Sequence, residues 1–595
     1  MLKIAHVMNL AGALFLILLF CATTAFSQEK KKPEKPQAPP TRIKIPADST
    51  KADSAQAKAG KAALPQNDER LQLPDVLIYG SGGEKRTAGK KITISPDQPE
   101  LVNPPSLYNP LQTEDVEAGE RQQLLQTGAK SKFRQFELAA FGGQYDLYGG
   151  NGKYWQSLAA FNFGIEADYS HLGGQFENSQ DKRFSLGMRL GLTPSPGNNW
   201  RLSAQHVSAD YGLYGSAVAG HTRETLATAA EFAGDFELSE VVRSSITAEF
   251  GKGDLRNAAD AASAGLFDVE NTYYAATGEV GAHFANSELK LQARTLGDQL
   301  DAAGNDSAEV KWHALNFSYN FALSGKVSAE LSADYTAVSV DGAATQTRLR
   351  PGARMFLAPS RKLVITASFS SGFTYMPWQN ALAANRYIAN GTRPLPEDNK
   401  WRVTANVDWQ VSRNFVFKAK YENQRIDGLN YFLRDSLGTF ALHRDDFRMG
   451  LASVGGQLIF SETMKLDFSL NLFEDALRLN GQDFNNLYDV PYRGEFRAPV
   501  TLTLAPRKNL SFETQFAWVG KRRTALLQVA EAAGEVPRFQ ELSAYLFSTI
   551  HMNWQAAQHV EIFAQANNLV DDGFDAWQGY PEMALNALLG ARYIW

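Results

Sequence analysis

Cysteine is almost absent from this sequence, and its scarcity excludes several kinds of site. Cys21 is the single cysteine among 595 residues. It ends an apolar run, Leu10–Cys21, that we interpret below as part of a cleaved export signal, so the mature chain would contain no thiol. Disulfide frameworks, zinc knuckles, iron–sulfur clusters and cysteine nucleophiles are therefore excluded for the mature chain.

An overall apolar composition and an excess of positive charge are also lacking. Charged residues make up 21% of the chain and the mean hydropathy is −0.31, which is not the composition of a bundle of apolar membrane helices. The formal net charge is −5, so we predict no nucleic-acid partner.

Recognisable catalytic and metal-binding motifs are missing as well. The histidines of the mature chain are scattered, and no pair shows a His-x-x-x-His or HExxH spacing. A Gly-x-Ser-x-Gly elbow, the mark of many serine hydrolases, is absent. We therefore predict that the protein is not an enzyme and that it has no catalytic residues, no cofactor site and no metal site.

The N-terminal part of the chain predicts export followed by an extended tail. In residues 1–27 the apolar run precedes Ala25-Phe26-Ser27, which supplies the small residues that signal peptidase reads. Residues 28–70 are rich in Lys, Pro and Ala and nearly free of aromatics, so they are predicted to be a disordered linker in the periplasm. Residues 71–130 hold one short extended apolar segment, Leu73–Gly80, and are too short and Pro-rich for a large core.

Residues 131–595 show an alternation of apolar and polar side chains with a period of two. Clear examples are Lys326–Val338, Trp401–Val411 and Met464–Leu472. Successive strand residues point to opposite faces, so each of these segments predicts a strand with one apolar and one polar face. The fold class predicted for this region is therefore all-β.

The lengths of the connections favour a membrane barrel over a soluble sandwich. Short connections, such as those near 194–198, 284–287 and 461–463, alternate with long polar ones. The longest are expected around 252–268, 375–399, 427–445, 478–490 and 521–538. This alternation predicts an antiparallel up-and-down barrel of about 22 strands in the outer membrane of a Gram-negative cell, in contact with its lipid, with short turns in the periplasm. An even strand count also puts both barrel ends at the periplasmic side.

Tryptophans near the strand ends are expected to form belts at the two membrane interfaces. These residues are Trp155, Trp200, Trp312, Trp401, Trp518 and Trp554. The last residues of the chain form a further signal, because Gly590, Tyr593 and the terminal Trp595 are similar to the closing strand that the barrel-assembly machinery reads.

The C-terminal 37 residues, 559–595, resemble the end of TonB-dependent receptors. The matching pieces are Asn567-Asn568-Leu569, Asp571-Asp572, Trp577, Gly579-Tyr580-Pro581 and the aromatic last strand. A barrel of about 22 strands is also the size found in that family. The resemblance implies solute uptake that is energised by a TonB-like protein. Within Leu73–Gly80, which is similar to the segment before the receptors' plug domain, it points to Asp75, Val76, Leu77, Ile78 and Tyr79 as the strand edge offered to that protein.

The chain departs from this family in lacking room for a normal plug domain before the first strand. Three explanations stay open: residues 71–130 fold into the lumen as a reduced plug, a separate protein fills the barrel, or infolded loops pack the lumen. The predicted function is uptake or passage of a solute across the outer membrane. The alternative is an anchor or scaffold that binds periplasmic partners through the N-terminal tail.

Overall fold

The computed structural model describes residues 78–79, 85–86 and 133–595, apart from gaps at 159, 196, 219, 259–267, 303–306, 342, 391, 479–489, 527–537 and 571–572. The predicted signal, the linker and most of the segment 71–130 lie outside the described residues. Within that segment, a short strand β1 (Ile78–Tyr79) pairs antiparallel with β2 (Lys85–Arg86). Among the described residues, no helix combines the length and the apolar character needed to cross a membrane.

A closed antiparallel barrel is formed by residues 133–595, as the alternation predicted. Its first strands are β3 (Phe133–Gly143), β4 (Tyr148–Leu158), β5 (Phe161–Leu172), β6 (Asp181–Ser195), β7 (Asn198–Gly212), β8 (Thr222–Glu237), β9 (Val242–Ala258), β10 (Val269–Phe284), β11 (Ser287–Ala302), β12 (Ala308–Ser324), β13 (Val327–Val340), β14 (Gln346–Ser360) and β15 (Leu363–Thr374). A short helix α1 (Trp378–Ala384) follows β15.

The second half of the wall follows α1 and includes two short hairpins outside the strand order. Its strands are β16 (Glu397–Gln410), β17 (Phe415–Arg434), β18 (Phe440–Ser461), β19 (Met464–Arg478), β20 (Phe496–Arg507), β21 (Leu510–Val519), β22 (Arg522–Leu526), β23 (Arg538–Leu542), β24 (Tyr545–Ala557), β25 (Val560–Asn567), β26 (Asp575–Trp577), β27 (Tyr580–Pro581) and β28 (Asn586–Ile594). Because β21 pairs directly with β24, the hairpin β22–β23 lies outside the wall, which has 22 strands. The predicted strand count is confirmed.

Pairing of the last strand with the first one closes the barrel. The register joins Ile594 of β28 to Glu137 of β3, and the backbones of Trp595 and Phe136 exchange two hydrogen bonds. Both chain ends of the wall therefore lie at one rim. Closure gives every wall strand a hydrogen-bonded neighbour on both sides, as a lipid environment requires.

Turns of two to four residues make up the whole of the rim that holds the chain ends, which we call the inner rim. Gly325 and Lys326 connect β12 to β13, and Arg361 and Lys362 connect β14 to β15. The opposite outer rim carries longer connections, such as residues 375–396 and 568–585. The expected loop 427–445 is wrong, since only 435–439 are outside strands and the ladder of β17 and β18 continues through the rest. The expected loop 521–538 also contains a strand, β22.

The two faces of the wall differ in polarity as the alternation predicted. On β12, Leu315, Phe317 and Tyr319 are exposed on the outside of the barrel, whereas Ser318 between them is buried on the lumen side. Exposed apolar side chains recur on the outward faces of the other strands. The outer surface of the barrel is thus apolar along its middle, and the polar faces line the lumen.

The predicted tryptophan belt is wrong for two of its members. Trp155 and Trp312 are buried on the lumen face, whereas Trp200, Trp518 and Trp554 are exposed as expected. Gly164 pairs with Trp155 across β4 and β5, and a Cβ at Gly164 would lie 2.0 Å from the indole ring. The missing side chain of that glycine makes space for an inward-facing tryptophan. Hydrophobicity alone therefore does not determine which face a tryptophan occupies.

Candidate functional site at the outer mouth

The outer end of the barrel contains a buried core built from connections and strand ends, which we call the mouth core. Its members are Tyr211, Leu213, Ala381, Tyr387, Ile388, Phe432, Phe440, Tyr492, Ala517, Val519, Leu542, Tyr545, Phe547, Phe574, Ala576, Trp577 and Tyr580. These residues come from strands all around the wall. A single apolar cluster therefore joins opposite sides of the outer mouth.

Three connections reach this core from well-separated points on the wall. They are residues 213–221 after β7, 375–396 after β15 and 568–585 after β25, and together we call them the mouth cap. Between successive cap connections lie six strands (β9–β14), six strands (β17–β21 and β24) and four strands (β3–β6). Because the three points are spread almost evenly around the barrel, contacts among the connections have to lie across the mouth.

One tyrosine from each cap connection meets the other two. The rings of Tyr387 and Tyr580 stack with centroids 3.8 Å apart, and the ring of Tyr214 lies edge-on to Tyr580 at 5.1 Å and to Tyr387 at 6.2 Å. The Tyr214 hydroxyl donates to the carbonyl of Pro581 at 3.0 Å. Aromatic pairs stabilise by about 0.5–1.5 kcal/mol beyond area burial. The three connections are therefore packed against one another.

The connection 375–396, called the cap loop below, begins with helix α1 and is fastened to the wall at its start. Pro377 precedes the helix and favours its start, because proline fixes φ and needs no backbone donor there. The backbone N–H of Trp378 and the hydroxyl of Tyr375 both donate to Oδ2 of Asp298 on β11, at 2.9 and 2.5 Å. A single lumen-facing carboxylate thus fixes the entry to the cap loop.

Arg223 on β8 fastens the centre of the cap loop. Its side chain is 1% exposed and donates to the carbonyls of Ile388 at 2.7 Å and Arg386 at 3.1 Å. It also donates to the side-chain oxygens of Asn390 and Asn257. No carboxylate of the described chain lies within ion-pair distance of Arg223, so backbone carbonyls and amides compensate its buried charge. Removing such a partner is costly, because the carbonyls it serves are themselves buried.

Two ion pairs fasten the cap loop further. Arg386 donates to Oδ2 of Asp181 on β6 at 2.7 Å and lies 4.0 Å above the ring of Tyr211. Arg393 makes a two-pronged contact with Asp341 in the connection after β13. The cap loop is thus tied to strands from β6 to β13 by side chains, and not by a continuous strand ladder.

The C-terminal cap connection, residues 568–585, is held by a second buried arginine. Arg522 donates to the carbonyls of Asp575 at 2.6 Å and Ala576 at 2.9 Å. Nearby, the rings of Tyr545 and Phe574 stack with centroids 3.8 Å apart. The same device, arginine donating to loop carbonyls, therefore fixes both long cap connections.

Glycine permits the close approach of backbones inside the cap. Gly438, between β17 and β18, has a φ of +82°, and a Cβ there would lie 2.3 Å from the carbonyl oxygen of Gly215. The Tyr580 hydroxyl donates to the carbonyl of Gly438 at 3.0 Å. Only a residue without a side chain fits this position.

Glu582 is the exceptional polar residue of the cap. It is 8% exposed, and its Oε2 has no hydrogen-bond partner among the described residues. Burial raises the pKa of Glu582 to about 8, and the nearby charges of Arg386 and Arg522 only partly oppose this rise. The closed cap therefore favours the neutral acid over the carboxylate.

Metal binding finds no support in the part of the chain that the structure describes. No group of three or more His, Cys, Asp or Glu side chains is close enough there to hold a metal ion. The predicted absence of catalytic, cofactor and metal sites stays a prediction from sequence.

No residue predicted as a site belongs to the mouth core or the mouth cap as the structure describes them. Asp75, Val76 and Leu77 are outside the described residues, and Ile78 and Tyr79 are described only by their backbone pairing with Arg86 and Lys85. Gly590, Tyr593 and Trp595 lie on or directly after β28, with Tyr593 and Trp595 exposed. A Cβ at Gly590 would lie 2.3 Å from the ring of Phe563, so this glycine permits β25 and β28 to pack.

Little in the sequence indicates the mouth cap itself. Trp577, Gly579 and Tyr580 were noted through the resemblance, and they lie in the C-terminal cap connection. Arg223 and Arg522 were missed, because an arginine at the start of a strand looks the same whether it faces water or a loop carbonyl. The only available signal was the length and aromatic content of 375–399.

Several solved structures share this fold. The FrpB iron transporter from Neisseria meningitidis (F3-3 variant) aligns with a TM-score of 0.62 and 11% identity, covering 80% of this chain and 83% of that one. The copper transporter OprC aligns with a TM-score of 0.61 and 12% identity, covering 78% and 81%. The ferric-catecholate import receptor Fiu from E. coli K12 aligns with a TM-score of 0.58 and 10% identity, covering 78% and 82%. No family model and no curated protein matches the sequence.

Proposed function

We propose that this chain, which has the barrel fold of TonB-dependent receptors, is an outer-membrane barrel for the uptake or passage of a solute. The apolar exterior supports the membrane location. On β12 the outward row runs from Leu315 to Leu323, about 27 Å of strand. At a tilt of about 40° that row spans about 20 Å of height, which is near the apolar band of outer-membrane barrels.

The mouth cap is the proposed gate of this passage. The observation that carries this proposal is the attachment of the cap loop by the side chains of Arg223, Asp298 and Asp181, with an isolated backbone bridge to β18. Such ties can break and re-form while the strand ladder of the wall stays intact. A ligand that binds the open cap more tightly than the closed one would shift the equilibrium towards opening. A solute arriving from outside would meet this cap first.

Energy for the passage is proposed to come from a TonB-like protein that pairs with Asp75–Tyr79 by strand addition. The test is Ile78→Pro, because proline removes a backbone donor from the added strand. We expect saturable uptake to fall to the level seen after collapse of the proton gradient, while Ser81→Pro, placed just beyond the segment, retains uptake. Uptake that survives both Ile78→Pro and collapse of the gradient would contradict energised transport.

A scaffold that holds periplasmic partners through residues 28–70 is the second candidate. The mouth cap favours the scaffold in one respect, because a scaffold can function in a barrel whose mouth stays closed. A pull-down with the full chain and with a chain lacking residues 28–70 separates the two functions. An envelope protein retained only by the full chain, together with no measurable solute uptake, would support the scaffold.

A further inference from the structure

The inner rim of the barrel carries exposed positive charge along one arc. Ten short turns form this rim, and lysine or arginine occurs at four of them, all among the five consecutive turns from β12 to β21. The cations are Lys326, Arg361, Lys362, Arg413, Arg507 and Lys508. Glu462 is the one acidic residue in these five turns, whereas the remaining turns contain no cation.

These six side chains are all exposed. None of them has a carboxylate within ion-pair distance in the described chain, although ion pairs are frequent on the lumen wall, as between Arg402 and Glu422 or Lys465 and Asp467. Within the described part of the chain, the arc therefore presents uncompensated positive charge. Positive charge of this kind along one continuous arc favours an anionic partner.

The height of the arc identifies the kind of partner. Leu323 and Val411 are large, exposed and outward-facing, and they precede Lys326 and Arg413 by only two or three residues. Phe460 is exposed at the same end of β18. The cations thus begin where the apolar band ends, which is the level of lipid headgroups in a bilayer that the band spans.

We propose that this arc, which we call the cationic arc, binds the headgroups of anionic phospholipids in the inner leaflet of the outer membrane. The inference rests on the proposed outer-membrane location. Lysine and arginine beside a membrane surface attract anionic headgroups, and the attraction adds over several residues. The barrel would gather anionic lipid on one side only, between β12 and β21.

The test uses the full-length protein reconstituted into vesicles of phosphatidylethanolamine mixed with phosphatidylglycerol. The protein is re-extracted in mild detergent, and the retained lipids are quantified by mass spectrometry. We expect the ratio of phosphatidylglycerol to phosphatidylethanolamine around the wild type to exceed the ratio of the mixture by at least about twofold. A variant with all six cations changed to glutamine is expected to lose this enrichment.

The matched control neutralises exposed cations at the outer end of the wall. Lys182, Lys252, Arg256 and Lys311 changed together to glutamine should leave the enrichment intact. Enrichment that is absent from the wild type, or that survives in the six-residue variant, would overturn the proposal. If an acidic protein segment covers the arc instead, the protein should insert into the vesicles without enriching phosphatidylglycerol. That result would overturn the lipid proposal and leave the outer-membrane location intact. If the wild type failed to insert into the mixed vesicles, and also into vesicles without phosphatidylglycerol, the outer-membrane location itself would be contradicted.

Discussion

Tyr387 and Tyr580 stack face to face across the outer mouth, although six wall strands lie between the hairpins that carry them. Their contact joins the cap loop to the C-terminal cap connection, and Tyr214 adds the third connection. A barrel wall alone would keep these residues on separate sides of a wide lumen. The connections that meet across the outer mouth are therefore far apart in the sequence.

Arg223→Met is expected to release the centre of the cap loop while leaving the wall assembled. The change removes donors to two carbonyls and two side-chain oxygens, at a cost of about 3 kcal/mol in closed-cap stability. Hydrogen exchange of residues 385–390 should become faster by about two orders of magnitude. Arg243→Met, at an exposed position near the inner rim, is the control and should leave this exchange unchanged.

The result would contradict the role of Arg223 if exchange in the cap loop were as slow as in the wild type. Faster exchange throughout the wall strands would also count against it, since the change would then act on the barrel and not on the cap.

Gly438→Ala is expected to weaken the packing of the cap. Alanine at a φ of +82° is strained by about 1–2 kcal/mol, and its Cβ meets the Gly215 carbonyl. Protease cleavage within the cap connections should accelerate in this variant. Gly573→Ala is the control within the cap, because no atom lies within 4 Å of a Cβ there. Equal cleavage rates in the two variants would refute a requirement for glycine at 438.

The stability of the closed cap is expected to depend on pH through Glu582. Burial raises the folded-state pKa to about 8 from an ordinary value of 4.5, so the closed cap binds a proton that the open cap releases. Stability from this group is fully present below about pH 4.5 and is lost as the pH rises through about 8. Hydrogen exchange in the cap should therefore accelerate progressively between about pH 4.5 and about pH 8, after correction for the intrinsic rate, and should show no further change above that range.

Glu582→Gln removes the titrating group and should flatten this pH dependence. Gln555→Glu serves as a control, because it places a carboxylate at an exposed position of β24. This variant should keep the wild-type pH profile. A Glu582→Gln profile that matches the wild type would assign the pH dependence to another group.

Assembly of the barrel is expected to depend on Trp595. The backbone of this residue pairs with Phe136 at the seam between β28 and β3, and its ring lies 5.2 Å from the guanidinium of Arg134. Trp595→Ala should reduce the amount of folded barrel in the outer membrane, measured by the mobility of unheated samples in gels. Trp554→Ala removes another exposed tryptophan, on β24, and should assemble normally. Equal loss in both variants would indicate lipid contact, not an assembly signal.

Most of the wall was predictable from the sequence because its physics is local. Alternation in segments such as Trp401–Val411 fixes strand and face together, and a short turn such as Gly325-Lys326 fixes the hairpin around it. The prediction from local sequence failed where a residue on the adjacent strand determines which face a side chain occupies. Trp155 faces the lumen because Gly164 on the adjacent strand leaves room for its ring.

The mouth cap was beyond prediction for a related reason. The stacking of Tyr387 on Tyr580 and the bond from Arg223 to Ile388 depend on residues separated by more than 150 positions in the chain. No periodicity records such contacts. The three explanations for the filling of the lumen stay open, and the arrangement of the cap connections supports infolded loops at the outer mouth only.

Single-channel conductance in planar bilayers tests most directly whether the cap closes the barrel. A chain lacking residues 71–130 but with an intact cap should show conductance as low as the full-length chain. The same deletion combined with Arg223→Met and Arg522→Met should show frequent large openings. Large, stable openings after the deletion alone would contradict closure of the mouth by its own loops.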